Sequence, residues 1–113
     1  MTVYVVQKQH RWDAYTQDFV PKFDITPAEQ YGDLDYLLSP KAAPWHSASV
    51  LADLHNKLRY YGPEDYLLLV GNPCIIGWAV AVAAHYNAGS VSLLQWSGRE
   101  HQYIPVEAKV FDT

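Results

Sequence analysis

The chain holds a single cysteine, Cys74. An internal disulfide is therefore excluded, and a reducing compartment is expected. Basic residues are sparse: eight Lys and Arg are scattered from Lys8 to Lys109 with no cluster. That dispersal disfavours generic duplex binding, which needs a cationic face. Acidic residues do not run together either. The longest apolar run, Cys74 to Ala84, is interrupted by Gly77 and falls short of the ~20 residues of a membrane span. The opening MTVYVV has neither the basic region nor the apolar region of an export signal, so a cytoplasmic protein with no membrane partner is expected. None of the five histidines stands in an H-x-x-x-H or H-E-x-x-H spacing. No G-x-S-x-G, S-x-x-K or G-x-x-x-x-G-K-[ST] motif is present, so no metal, cofactor or catalytic residue is assigned.

What is abundant is apolar and aromatic surface. Half of the 113 residues are hydrophobic and 18% are charged. This composition supports one folded domain over residues 1–113 rather than a disordered chain. Nine Tyr and four Trp exceed what a small core takes in, so part of the set is expected at the surface, where Tyr and Trp anchor interfaces.

The pattern along the chain gives the elements. TVYVVQK (2–8) is β-branched and aromatic, a strand. Residues 9–24 show no period and read as an exposed, irregular excursion. ITPAEQYG (25–32) predicts a short helix: Thr26 is the cap, Pro27 the first position, Glu29 the capping-box acid, and Gly32 the left-handed stop. LDYLLS (34–39) is a strand. Ser47 or Ser49 caps a helix reaching about Tyr60, with Val50, Leu51, Leu54 and Leu58 as its apolar stripe and an Asp53–Lys57 pair on another face. DYLLLVG (65–71) lacks alternation, which marks a strand buried on both faces. The helix over 73–87 is apolar nearly all round. SVSLLQW (90–96) and YIPVEAKV (103–110) form a hairpin, and Pro105 puts the last strand at an edge. Strand–helix alternation with short connections predicts an α/β fold: a small three-layer, Rossmann-like, mostly parallel sheet with a C-terminal antiparallel β-hairpin.

Ligands of such sheets sit beyond the carboxyl ends of the strands. Those ends are Ser39-Pro40, Gly71 to Cys74, and Trp96-Ser97. An anion on the Asn72 or Cys74 N–H is one reading, and nominates Ser39, Gly71, Asn72, Cys74 and Trp96. The simpler account is that Gly71 turns, Asn72 caps and Pro73 starts the helix. Cys74 lies in the first turn of a helix, where the dipole favours a thiolate, and only His46 could approach it as a base. The plain alternative is a buried apolar cysteine. Gly77 and Ala81 give a small face, read either as close packing on the sheet or as a seat for a partner helix. Trp45, Gly77, Trp78, Ala81 and Tyr86 are the interface candidates.

Taken together, FDITPAEQYGDLDYLLS, DYLLLVGNPCIIGWAVAVAAHYN and SVSLLQWSGREHQYIPVEAKV resemble a set of short uncharacterised tailed-phage proteins, matched at 25–39, 65–87 and 91–107. The resemblance implies a phage origin, residence in the cytoplasm of a bacterial host, and no stated activity. The stretch from Gln9 to Asp24 departs from the pattern as this chain's own elaboration. Residues 65–107 are also similar to the closing unit of SAVED and CARF-type cyclic-nucleotide sensor domains, which would make Gly71–Cys74 a ligand shelf. The expected function is non-enzymatic binding of a host protein or of a second copy. A nucleotide or small-anion module is the alternative, and a Cys74/His46 enzyme the third.

Overall fold

The structure, a computed structural model, describes residues 1–22 and 24–112. Phe23, inside the expected 9–24 excursion, and Thr113 lie outside the described residues. The elements are β1 (Thr2–Gln7), β2 (His10–Asp13), β3 (Asp18–Pro21), a 3-10 helix (Thr26–Tyr31) and β4 (Asp33–Leu38), then a 3-10 turn (Pro44–His46), α1 (Ser47–Leu58), β5 (Tyr66–Leu68), α2 (Pro73–Tyr86), β6 (Ser90–Ser97) and β7 (Gln102–Lys109). Five strands form one sheet in the order β4-β1-β5-β6-β7. The first four are mutually parallel, and β7 returns antiparallel to β6. The fold is thus α/β, with a mostly parallel sheet and a C-terminal hairpin.

Strand order and crossover hand explain where the helices lie. The chain steps from β1 to β4 in one direction, then returns across β1 to β5 and continues to β6. Right-handed crossovers place connections of opposite direction on opposite faces. Accordingly α1 and α2 share one face. There Val50, Leu54 and Leu58 of α1 and Ile75, Ala79 and Val82 of α2 join Tyr4, Val6 and Leu67 in the larger core. The other face carries the 3-10 helix, whose Ala28 joins Ile25, Val3, Val5, Leu68, Leu94 and Tyr103. The third layer is therefore thin. Alternation along β1 separates the faces: Tyr4 and Val6 turn one way, Val3 and Val5 the other.

Several expectations change. Residues 10–21 are not irregular: β2 and β3 pair antiparallel as a separate two-stranded ribbon. Its alternation is invisible because neither face is buried, and its turn rests on Gln17 in the left-handed region (φ 53°) rather than on glycine. The 25–32 helix is a 3-10 helix. Thr26 does not cap it; both its N–H and Oγ1 donate to Asp24. Gly32 has φ 148° and ψ 178°, a positive-φ conformation that side chains rarely adopt and not the left-handed helical one. Its ideal Cβ would sit 2.6 Å from the Met1 carbonyl oxygen, so only glycine fits. Helix α1 begins without a serine cap: His46 holds the cap position, and Ser49 Oγ donates back to the His46 carbonyl. Lys57 does not pair with Asp53; its Nζ donates to the Tyr36 carbonyl on β4.

Tyr61 fastens the layer beneath α1. Its hydroxyl accepts from Ser92 N–H at 3.0 Å and donates to the Ser92 carbonyl at 3.4 Å. Burial raises the phenol pKa above its ordinary value, and the phenols of Tyr4 and Tyr103 are raised for the same reason. A folded-state pKa above the unfolded one favours the neutral phenol in the fold. Stability is then full below pH ~10 and falls as pH rises from there toward the folded pKa. Tyr61→Phe is expected to cost about 1–3 kcal/mol at pH 7, by leaving Ser92 N–H unpaired. It should also flatten part of the alkaline loss seen in urea melts between pH 8 and 11, ranges set by the phenol pKa of about 10.

Candidate functional site

At the carboxyl end of the sheet, connections leave β1 and β5 on opposite faces. In open α/β sheets this reversal leaves a crevice where ligands settle. Here the crevice is filled by the chain itself. Gln7, last residue of β1, is only 3% exposed, the single buried polar side chain among the described residues. Its Nε2 donates to the Ala42 carbonyl at 2.9 Å and the Ser39 carbonyl at 3.2 Å, with Pro40 O at 3.5 Å. Its Oε1 accepts from Asn72 N–H at 2.9 Å. The partners fix the orientation of the amide, since carbonyls only accept and an N–H only donates. One side chain thus ties the loop after β4 and the loop after β5 to the end of β1. The main chain repeats the joint: Gln7 N–H donates to Val70 O and Lys8 N–H to Leu38 O, both at 3.0 Å.

Gly71 is shaped by the same contact. Its φ is +131°, and an ideal Cβ there would lie 2.6 Å from Gln7 Cβ and 2.9 Å from Oε1. The residue is glycine because the glutamine needs the space. Asn72 then caps α2: Oδ1 accepts from Cys74 N–H at 2.9 Å and Ile75 N–H at 3.4 Å, and Pro73 occupies the first helical position. These are the donors an anion would have used.

The nominated residues fall into separate groups. Ser39, Gly71 and Asn72 converge on Gln7. Cys74 is exposed, which corrects the expectation of a buried thiol. His46 faces Trp45 with ring centroids 6.3 Å apart, and no hydrogen bond joins it to Cys74 among the described residues. Trp96 stands apart on β6, edge-on to Tyr103 with centroids 5.1 Å apart. It borders a groove of about 520 Å³ lined also by Lys22, Asp24, Leu68, Val70, Leu94 and Tyr103. Of the interface candidates, Trp45, Gly77 and Ala81 are exposed, whereas Trp78 and Tyr86 pack against the larger core. No atom comes within 4 Å of a Cβ built on Gly77, so close packing on the sheet does not explain this glycine. Tyr86 Oη is 2.8 Å from His55 Nδ1.

Sequence reasoning missed Gln7 and the ribbon. The signal for Gln7 was a polar residue closing an otherwise apolar strand, in the alternation of Val3 and Val5. The ribbon offered Trp12 and Phe19 at sites that become cross-strand partners.

Fold and site together define a small α/β protein whose strand-end crevice is closed by its own glutamine. The chain belongs to the family of Phage Pam3 gp32-like proteins, whose family model matches residues 1–110. The matched span runs across residues 9–24. Comparison with the curated proteins and with the solved structures gives no match. The phage resemblance is thereby carried; the likeness to cyclic-nucleotide sensor domains is not part of that match. Among the described residues no helix is long and apolar enough to cross a membrane.

Gln7→Ala should destabilise the fold by about 2–3 kcal/mol in urea melts, because the Ser39 and Ala42 carbonyls and the Asn72 N–H lose their partner together. Gln7→Glu should be destabilised at pH 7 and recover as pH falls. A carboxylate facing carbonyls is held protonated, and stability with a raised carboxyl pKa is lost as pH rises.

Proposed function

We propose that this chain is a non-enzymatic binding module on a Rossmann-like sheet, holding a host or phage protein against exposed aromatic surface. One observation carries the reading: the β2–β3 ribbon presents Trp12 and Phe19 at 56% and 62% exposure, packed edge-on to each other at 5.3 Å. Tyr15 at the ribbon turn is fully exposed. A two-stranded ribbon is marginal by itself in water, and large exposed aromatics are what a partner buries best. The closed crevice supports the same reading, because the polar groups at the strand ends are engaged with one another. Exposed Trp45 and the Gly77–Ala81 stripe offer further contact surface. The double substitution Trp12→Ala, Phe19→Ala should leave stability within about 0.5 kcal/mol, since neither side chain is in the core. It should weaken retention of a partner from phage-infected host extract by about tenfold or more. Equal retention by both forms, or none by the parent chain, contradicts the reading.

A second reading, a nucleotide or small-anion module, has the groove at Trp96 in its favour. Its volume of 520 Å³ suits a small ligand, and an indole offers a base a stacking face. Titration with ATP and with cyclic dinucleotides, followed by tryptophan fluorescence and melting temperature, decides it. A saturable quench with a raised melting temperature supports this reading; the protein-binding account expects neither. Thiol chemistry by Cys74 with His46 as base has the least support, given the orientation of His46 toward Trp45.

A further inference from the structure

The sheet has two edges, and they differ. On β4, Asp33 and Asp35 are exposed carboxylates, and Lys57 Nζ occupies the Tyr36 carbonyl at 3.1 Å. Such charges and covers are how edges are kept from pairing. Strand β7 has less protection. All of it except Tyr103 is exposed, including Ile104, Val106 and Ala108.

The direction of its main chain can be worked out. Pro105 lies opposite Leu94 and has no N–H, while Val110 N–H donates to Gly89 O at 2.7 Å. In an antiparallel ladder the residues alternate between pairs that exchange hydrogen bonds and pairs that do not. Residues 104, 106, 108 and 110 therefore point their main chain at β6. Residues 103, 105, 107 and 109 point theirs outward.

We infer that β7 is a self-pairing edge, at which a second copy of this chain adds antiparallel about an axis through Ala108, Glu107 of each copy facing the partner's Lys109. The occupant is set by charge. Two-fold symmetry makes the surface complement itself. In this register the outward residues Glu107 and Lys109 meet as opposite charges, and both symmetry-related pairs exchange hydrogen bonds in each direction. Moving the axis one residue puts Glu107 against Glu107, or Lys109 against Lys109, which is repulsive. Moving the axis two residues toward the amino end brings Pro105, without a donor, opposite the partner's Glu107 and inside the paired span, whereas with the axis at Ala108 it faces beyond the end of the partner's β7. On the opposite face, exposed Val106 comes opposite the partner's Val110. The existing contact of Lys109 with Asp112, 3.7 Å long and solvent-exposed, is a weak surface pair and yields readily. The result is one continuous sheet through two protomers, joined by a small interface and dissociating in the micromolar range or above. This inference does not depend on the aromatic ribbon, and its test leaves Trp12 and Phe19 untouched.

Sedimentation velocity of the full chain from about 5 to 500 µM, a span that brackets such an interface, should show reversible monomer–dimer exchange. Glu107→Lys alone and Lys109→Glu alone should each weaken the dimer about tenfold or more, because both symmetry-related pairs become like-charged. The double variant Glu107→Lys, Lys109→Glu should restore it, and an equimolar mixture of the two single variants should form the mixed dimer. Both residues are exposed, so circular dichroism and melting temperature should match the parent chain in every variant. A chain monomeric throughout, a dimer indifferent to the single reversals, or one lost in the singles and not regained in the double overturns the inference.

Discussion

The amide of Gln7 is the joint on which the carboxyl end of this sheet depends. It lies where β1, the loop after β4 and the loop after β5 meet, and satisfies main-chain groups of both loops. Buried polar groups are costly unless paired, so a fully paired amide holds these loops in one arrangement. Gly71 follows from it, because a side chain there would strike the glutamine. The start of α2 follows from Gly71, since the chain must turn before Asn72 can cap. A single side chain thus sets the local order from strand to turn to helix.

The same joint bears on the proposed function. An α/β sheet with this reversal of direction ordinarily offers its carboxyl end to a ligand, and here that end is spent on internal hydrogen bonds. Surface of another kind is left over. The molecule is flat, 51 × 37 × 20 Å, with both α-helices on one face and the 3-10 helix on the other. Three of its four tryptophans, Trp12, Trp45 and Trp96, are exposed. A small domain gains little from such exposure on its own, so the aromatic ribbon and the exposed β7 edge are where the proposed associations would bury apolar area.

Much of this architecture was legible in the sequence, and the reasons are local. The strands around Val3–Val6, Leu67–Leu68 and Val91–Leu94 are largely apolar. Val50, Leu54 and Leu58 mark one face of α1, and Asn72-Pro73 announces α2. Pro105 gave the edge position of β7. The ribbon was not legible, because its strands bury neither face and its turn uses Gln17 rather than glycine. Ser47 and Ser49 misled because the 3-10 turn ahead of α1 supplies the entry that a serine cap would otherwise provide. In the site, Gly71 and Asn72 were visible as turn and cap. The partner that explains them, Gln7, is 65 residues from Asn72 and could be found only by folding the chain, since sequence distance hides side-chain contact across parallel strands.

The central claim is that the Gln7 amide is locked between the two loops. Side-chain hydrogen exchange by NMR tests it most directly. The account predicts that the Gln7 Nε2 protons exchange far more slowly than those of the exposed glutamines Gln17 and Gln95, together with a protected Asn72 N–H, and that neither changes when millimolar ATP is added. Gln7 protons exchanging as fast as those of Gln17, or shifting with added nucleotide, would show an open crevice and contradict the account.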